Sequence, residues 1–339
     1  MAQIKLGFIG CGGHSAGSLQ PNVTITDEID FVATCDLDQS RAQKSARRFG
    51  ALNYYTDSKE MIRKEALDAV AIVGPPTMHH KVGLDCLNEG VHIFIEKPPA
   101  MTAQGAKELV DASKRTGKMG MVATMWRHQQ AHILMKQFMS TPDFGKPFYF
   151  QARFVAPDPV KPIWGYETVE KSYLVGQGIH LVDCTRFLMG EISQVYCVGG
   201  AAKDGAVSLS ISLRFANGAT GIVGLASGAP TLEVHLMAMG DGREMVEAFN
   251  HDRLRAFKKT SWCGTPGGYR DFPSLEWNPG SYYRGFARHG YAEELRHFAV
   301  SIAANTQPRA SLEDGYQAMR ILEAIEESRV KGTPVSIAA

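Results

Sequence analysis

The sequence lacks the features that mark several whole classes of protein. Its 339 residues carry a formal net charge of +1, so no excess of one sign favours binding to nucleic acid or to a membrane surface. No apolar run approaches the length that spans a bilayer, and the first apolar stretch, residues 6–9, is too short for the hydrophobic part of a signal peptide. We therefore expect a cytoplasmic protein whose partners include neither nucleic acid nor membrane.

Cysteine is also scarce and is not clustered. The six cysteines form no CxxC pair; they are Cys11, Cys35, Cys86, Cys184, Cys197 and Cys263. Such scattered thiols fit neither a disulfide framework nor a zinc site, so we expect reduced core residues. His79 and His80 are adjacent, but no third ligand stands at a useful spacing, and no metal is predicted.

The chain is longer than one hydrophobic core usually serves, which predicts two domains. In its first third, short apolar runs alternate with amphipathic stretches that end at glycines. The predicted strands cover residues 4–9, 31–35, 69–73, 91–95 and 119–123. This alternation predicts βαβ units and a doubly wound parallel sheet, a Rossmann domain over residues 1–124. The closing helical patterns, within residues 289–332, have an apolar spacing that would dock them back onto a core.

Residues 125–339 follow a different pattern, which predicts a second domain. Strand-like runs are joined by two hairpin signals, Asn217-Gly218 and Asp241-Gly242, without intervening helices. The predicted fold class is therefore α/β plus α+β, with an open, mainly antiparallel sheet in the second domain. An open sheet face favours a homodimer or homotetramer.

A glycine-rich loop follows the first predicted strand. In Gly10-x-Gly12-x-x-Ser15, Gly10 permits a tight turn, Gly12 lets the backbone approach a pyrophosphate, and Ser15 is small enough for close packing of helix on strand. The second strand ends at Asp36, whose carboxylate can accept both hydroxyls of an adenosine ribose and would repel a 2′-phosphate. This arrangement favours NAD over NADP. The alternative to dinucleotide binding as a whole is a glycine turn beside an unrelated helix-capping aspartate.

Glu96-Lys97-Pro98 follows another predicted strand. A lysine at the carboxyl edge of a parallel sheet faces the crevice in which ligands bind. Its ammonium group can hold a substrate hydroxyl, and partial burial can lower its pKa enough for proton relay. Pro98 is a candidate for a cis peptide bond that aims Lys97. The alternative is a solvated surface lysine.

With these motifs in view, the chain resembles the glucose–fructose oxidoreductase / inositol dehydrogenase (Gfo/Idh/MocA) superfamily of NAD(P)-dependent oxidoreductases. The resemblance runs nearly end to end. It rests on Gly10-x-Gly12, Asp36, Gly-Pro-Pro-Thr-Met-His at 74–79, Glu96-Lys97-Pro98, Gly-Ile-His-Leu-Val-Asp at 178–183 and the closing helix at 315–328.

This resemblance implies that Lys97 is the catalytic lysine. It also implies that residues 125–339 form a domain for substrate binding and oligomerisation, whose open antiparallel sheet covers the active site and builds oligomer interfaces. The residues expected to contact the cofactor are Gly10, Gly12, Gly13, His14, Asp36, Pro76, Thr77, His79, Glu96 and Lys97.

His180 and Asp183 lie three residues apart in a helical pattern, hence on one face, and Gly176 precedes His180 by four. The resemblance implies that His180 is an acid–base group, for which its ordinary pKa is suited, whereas an isolated histidine would more often be an inert core residue. The family commonly has aspartate where this chain has Gly176. Asp183 is expected to substitute in part, and a branch with different chemistry, or none, remains open.

Three further side chains are predicted to bind substrate together with His180 and Asp183. Arg127 could hold a hydroxyl or a carboxylate, with a surface salt bridge as the alternative. Trp126 adjoins it, and Trp164 could stack on a sugar face, with interface packing as the alternative.

The first functional hypothesis is an enzyme that transfers a hydride between NAD and a sugar, cyclitol or related polyol, with Lys97, His180 and Asp183 as catalytic residues. Two alternatives stay open. One is redox-neutral glycoside processing with tightly held NAD, and the other is a non-catalytic regulatory protein that binds the dinucleotide.

Overall fold

The structure, a computed structural model, describes residues 3–259, 274–280 and 289–338, so Cys263 lies outside the described residues. The chain divides into two compact units. The first unit comprises Met1–His128 and Gly285–Arg320, and the second comprises Gln129–Arg284 and Ile321–Ala339.

The first unit contains a six-stranded parallel sheet. Its strands are β1 (Ile4–Ile9), β2 (Ile29–Cys35), β3 (Asn53–Tyr55), β4 (Ala69–Ile72), β5 (His92–Glu96) and β6 (Gly120–Ala123). They lie in the order β3-β2-β1-β4-β5-β6, which confirms the predicted doubly wound sheet. Only β3 was not predicted, because its three residues are polar or aromatic and remain exposed or half-buried.

Five helices of this unit lie between its strands along the chain, and two follow much later in the sequence. They are α1 (Gln20–Val23), α2 (Gln39–Phe49), α3 (Ser58–Glu65), α4 (Pro76–Asn88), α5 (Ala103–Thr116), α9 (Tyr291–Ala304) and the first part of α10 (Leu312–Lys331). Local sequence sets several ends: Asp38 and Thr102 accept backbone N–H groups at helix starts, and Gly50 and Gly117 end α2 and α5 in the left-handed conformation.

Hydrophobic clusters line both faces of this sheet. On one face Leu295 and Phe298 of α9 pack with β1 residues such as Leu6 and Phe8, and the ring of Phe298 lies 5.8 Å from that of Phe94. On the other face Leu312 of α10 joins residues of β4, β5 and the α4–α5 layer. Both closing helices therefore contribute to the core of the first unit.

The second unit contains a nine-stranded, mainly antiparallel sheet. Its strands are β7 (Pro147–Val155), β8 (Ile192–Ala201), β9 (Val207–Phe215), β10 (Thr220–Ala226), β11 (Glu233–Gly240), β12 (Met245–Phe249), β13 (Arg253–Phe257), β14 (Leu275–Trp277) and β15 (Val335–Ser336). Their order is β14-β13-β12-β11-β7-β10-β9-β8-β15, and β7 and β10 pair in parallel. Both predicted hairpins are confirmed, between β9 and β10 and between β11 and β12.

One face of this sheet is buried and the other is open. Burial alternates residue by residue along β9, as expected for a sheet packed on one side. The helices of the unit are α6 (Gln130–Met139), α7 (Val169–Tyr173), α8 (Ile179–Met189) and the remainder of α10.

Two kinds of feature are absent from the described part of the chain. Within residues 3–259, 274–280 and 289–338, no helix combines the length and apolar character needed to cross a bilayer. Over the same ranges, no three His, Cys, Asp or Glu side chains are grouped so that they could hold a metal ion.

Candidate active site

Four strand ends of the first unit carry the predicted cofactor motifs. β1 ends before Gly10, β2 before Asp36, β4 before Gly74 and β5 before Lys97. Because these strands are parallel, their carboxyl ends lie along one edge of the sheet, the edge at which open α/β sheets bind ligands.

The glycine loop contains two kinds of glycine. Gly10 has φ +94°, and a Cβ atom there would lie 1.9 Å from the carbonyl oxygen of Val73, so no side chain fits. At Gly12 and Gly13 a Cβ would meet nothing within 4 Å. Gly10 therefore forms the turn, whereas Gly12 and Gly13 leave the backbone of the loop uncovered by side chains. The helix that follows includes a π-helical turn at Ser15–Leu19, a geometry often found at functional sites.

Asp36 ties this loop to the end of β2. Its Oδ2 accepts the backbone N–H of Cys11 at 2.8 Å, and its Oδ1 accepts that of Asp38 at 2.9 Å. Each carboxylate oxygen can accept a second hydrogen bond. The carboxylate is thus fixed in place and keeps one acceptor position on each oxygen, which fits a vicinal ribose diol.

The turn after β4 is joined to the Glu-Lys-Pro segment by His79. This fully buried ring accepts the N–H of Gly74 at Nε2 (3.3 Å), which places its proton on Nδ1, and Nδ1 donates to the carbonyl of Pro98 at 2.7 Å. Burial lowers the pKa of His79, in keeping with a neutral ring. Pro76 is buried at the start of α4, and Thr77 is exposed beside it. Contact of these three residues with the cofactor stays a prediction.

Glu96 and His14 form a partly buried ion pair at the same edge. Glu96 Oε1 lies 2.9 Å from Nε2 of His14, and Oε2 accepts the backbone N–H of Lys97 at 3.0 Å. Burial alone would raise the pKa of Glu96 and lower that of His14. The hydrogen bond and charge of each partner outweigh burial, so the pKa of Glu96 is lowered and that of His14 is raised. The pair therefore favours an anionic Glu96 and a cationic His14.

Lys97 is half-buried directly after β5, and its peptide bond to Pro98 is cis, as predicted. Burial lowers the pKa of the Lys97 ammonium group, and the charge of Glu96 partly opposes that effect. An ammonium group with a lowered pKa can donate to a substrate oxygen and also exchange a proton.

In the second unit, α8 carries the predicted acid–base pair. His180 and Asp183 are 3% and 1% exposed. A π-helical turn, Leu174–Gly178, directly precedes α8 and contains the buried Gly176. The helix thus holds an imidazole and a carboxylate away from solvent. His180 lies about one helical turn after Gly176, which has no side chain.

Comparison with known proteins agrees with this geometry. Residues 4–124 match a family model described as "Oxidoreductase family, NAD-binding Rossmann fold", and residues 132–243 match the GFO/IDH/MocA C-terminal domain. This chain belongs to the GFO/IDH/MocA family. It is an NAD-binding oxidoreductase, and the predicted family, enzyme class and cofactor are confirmed.

Three known proteins illustrate the similarity. The levoglucosan dehydrogenase of Pseudarthrobacter phenanthrenivorans is 28% identical, over 87% of this chain and 86% of that protein. The myo-inositol 2-dehydrogenase of Thermotoga maritima is 22% identical, over 96% of each chain. A dehydrogenase structure from Chromobacterium violaceum is 25% identical and superposes with a TM-score of 0.90, over 98% of this chain and 97% of that one.

Within this GFO/IDH/MocA member, the other predicted substrate residues differ in their surroundings. Arg127 is buried, donates to the carbonyl of Arg309 at 2.7 Å and lies 3.1 Å from Asp314. The ion pair joins a buried arginine to a half-buried aspartate, and is not the surface salt bridge considered as its alternative. Trp126 is 3% exposed, whereas Trp164 is 38% exposed. Binding of substrate by these side chains stays a prediction.

Two residues near the ion pair of Glu96 and His14 were not found from the sequence. The Tyr291 ring lies 6.0 Å from the His14 ring. Glu294 is fully buried, neither carboxyl oxygen has a hydrogen-bond partner among the described residues, and burial followed by the charge of Glu96 raises its pKa well above the usual range. Both begin α9, far along the chain from Glu96, and only the docking of that helix brings them here.

Proposed function

We propose that this protein transfers a hydride between NAD and a secondary hydroxyl carbon of a sugar, cyclitol or related polyol. The observation that carries the proposal is the half-buried Lys97 at the same edge of the parallel sheet as the glycine loop and Asp36. Support for the substrate class comes from similar proteins named as levoglucosan, myo-inositol and D-apiose dehydrogenases.

The cofactor would be held by the glycine edge of the first unit. The bare backbone at Gly12 and Gly13 and the helix that follows suit a pyrophosphate. The open acceptor positions of Asp36 suit the two hydroxyls of an adenosine ribose and disfavour a 2′-phosphate, which supports NAD as the preferred cofactor. When bound, the nicotinamide ring accepts or returns the hydride.

The protein's own groups would handle the oxygen and its proton. The Lys97 ammonium group would donate a hydrogen bond to the reacting oxygen and stabilise the charge that develops there. His180 would take the hydroxyl proton during oxidation and return it during reduction. Asp183, three residues further along α8, would orient His180 or accept a neighbouring substrate hydroxyl.

A substrate panel tests this proposal. The purified protein with NAD would be offered aldoses, anhydrosugars, inositols and acyclic polyols, and formation of reduced nicotinamide would be followed by its absorbance. At least one compound should reduce NAD stoichiometrically. NAD binding without turnover across the panel would instead indicate a regulatory protein, and product without net reduced cofactor would indicate redox-neutral chemistry.

We also propose that the open face of the second unit pairs with another copy of this chain. Tyr196, Ser212, Ile222 and Gln151 lie side by side on neighbouring strands of that face, and Tyr196 and Ile222 are exposed. Apolar groups in such a row favour burial in an interface. Ile222→Glu should lower the mass measured by sedimentation velocity, whereas Leu37→Glu, at an exposed leucine of the first unit, should not. A monomeric parent protein would refute the pairing.

A further inference from the structure

Gly176 is covered by an aromatic ring. A Cβ atom at this position would lie 3.0 Å from Cζ3 of Trp164, 3.5 Å from Cη2 and 3.9 Å from Cε3. The six-membered ring of the indole therefore occupies the space into which any side chain at position 176 would extend. This contact lies in the π-helical turn that ends just before His180.

The backbone that presents this ring is unusual. Trp164 has φ +56° and is followed by Gly165 with φ +83°, so a bulky residue adopts the left-handed conformation that normally favours glycine. Such strain tends to be kept where a function depends on it.

The surrounding loop is anchored on both sides of Trp164. Ser172 Oγ on α7 accepts the N–H of Ile163 at 3.0 Å, the N–H of Tyr166 donates to the carbonyl of Ile163 at 3.1 Å, and the Tyr166 ring is buried. The indole is thus held in place on the turn before His180 while 38% of Trp164 stays exposed.

We propose that Trp164 is the substrate-specificity residue of this enzyme and that the absence of a side chain at Gly176 is what allows it to lie there. The inference rests on the function proposed above. The protein thereby places the apolar ring surface of a partly exposed tryptophan beside the acid–base helix. That surface suits a cyclic polyol that turns a face of C–H groups toward it.

The chemistry of the two polyol classes explains the preference. A cyclitol or pyranose has a rigid ring, so its C–H groups can form one apolar face that stacks on an indole and leaves water together. An acyclic polyol carries hydroxyls in many directions and must lose torsional freedom to present such a face. The ring contact should therefore raise kcat/KM for cyclic substrates selectively.

A double-mutant cycle tests the pairing of the two residues. Gly176→Ala should lower kcat/KM for a cyclic substrate about tenfold in the parent protein, because the methyl group displaces the indole, and less than about twofold in a Trp164→Gly background. Gly178→Ala is the matched control, since a Cβ there meets only leucine side chains closer than 3.8 Å and the effect should be small in both backgrounds. Equal losses from Gly176→Ala in both backgrounds would refute the pairing.

Specificity is read from the ratio of kcat/KM for a cyclic polyol to that for an acyclic one. Trp164→Gly, which also relieves the backbone strain, should lower this ratio about tenfold, and Trp164→Phe should largely preserve it. Thermal unfolding of each variant separates these effects from loss of folded protein. An unchanged ratio in Trp164→Gly would overturn the proposal.

Calorimetry with NADH and the same two polyols gives an answer that does not depend on turnover. Selective loss of cyclic-polyol binding in Trp164→Gly supports the inference even if the proposed reaction fails the substrate panel. Equal binding of the cyclic polyol by the parent and the variant, or binding by neither, refutes it.

Discussion

The two units present their predicted functional groups in contrasting ways. Each has a π-helical turn beside the candidate residues, at Ser15–Leu19 and at Leu174–Gly178. At the edge of the parallel sheet, the carboxylates of Asp36 and Glu96 accept backbone N–H groups that lie within three residues of a strand end. Before α8, the decisive contact is an indole ring on a bare glycine, made by a separate loop.

This difference shows which functional groups a sequence motif can identify and which it cannot. A dinucleotide has a fixed pyrophosphate and ribose, so the groups that hold it come from standard strand ends and turns. A substrate pocket is shaped by packing between loops and helices. The loss of a side chain at one position can therefore be compensated by a side chain from a position far along the chain. The following predictions test this contrast, beginning with the largest expected effect.

Replacing Lys97 by alanine should reduce turnover about a thousandfold, because the reacting oxygen would lose its charged hydrogen-bond donor. NADH binding, followed by fluorescence titration, should persist. Lys107→Ala is the control, since this lysine pairs with Asp111 on α5. Substantial turnover by Lys97→Ala would remove that residue from the mechanism.

Substitutions of Gly10 and Gly12 in the loop should affect different properties of the protein. Gly10→Ala should lower the free energy of unfolding by about 2–4 kcal/mol, since its Cβ would collide with the Val73 carbonyl and φ is positive. Gly12→Ala should leave the melting temperature of the ligand-free protein nearly unchanged, yet weaken NAD binding, because its Cβ would point into the bare surface of the loop. Calorimetric melts and NAD titrations of both variants measure this; equal loss of stability would contradict it.

The smallest effect should be a pH dependence of NAD affinity. Burial tends to lower the pKa of His14, but its hydrogen bond to Glu96 raises it overall, so the cationic form that attracts a pyrophosphate persists above the usual histidine pKa. NAD affinity should therefore fall a few-fold between about pH 6 and about pH 9 as this proton is lost. The sign for stability is the same: the ion pair stabilises fully below the unfolded-state pKa and is lost as pH rises through the raised one.

His14→Gln should flatten that profile. His80→Gln provides a matched control, because His80 also lies beside a carboxylate, 2.8 Å from Glu108. Affinity titrations across the pH range compare the three proteins. A profile that remains steep in His14→Gln would assign the effect to another group.

The sequence predicted the fold more completely than it predicted the candidate site. Apolar periodicity and glycine positions predicted the parallel sheet and both hairpins, because these features depend on residues adjacent in the chain. The short strand β3 was not predicted, because it has no buried face that would produce an alternating pattern of apolar and polar residues. Arg127 shows the limit for side chains: its partners Asp314 and Arg309 come from a segment that no local pattern connects to it.

The sequence by itself determined the fold class and NAD as the cofactor, because tight turns, strand ends and alternating burial are consequences of local backbone geometry, and its motifs sufficed for the resemblance to the family. Only the tertiary structure decided that His79 joins Gly74 to Pro98, that Glu96 pairs with His14, and that Trp164 lies over Gly176. These contacts join segments that approach one another only after helices and loops have docked, and the side chains that then meet are not encoded in any single stretch of chain.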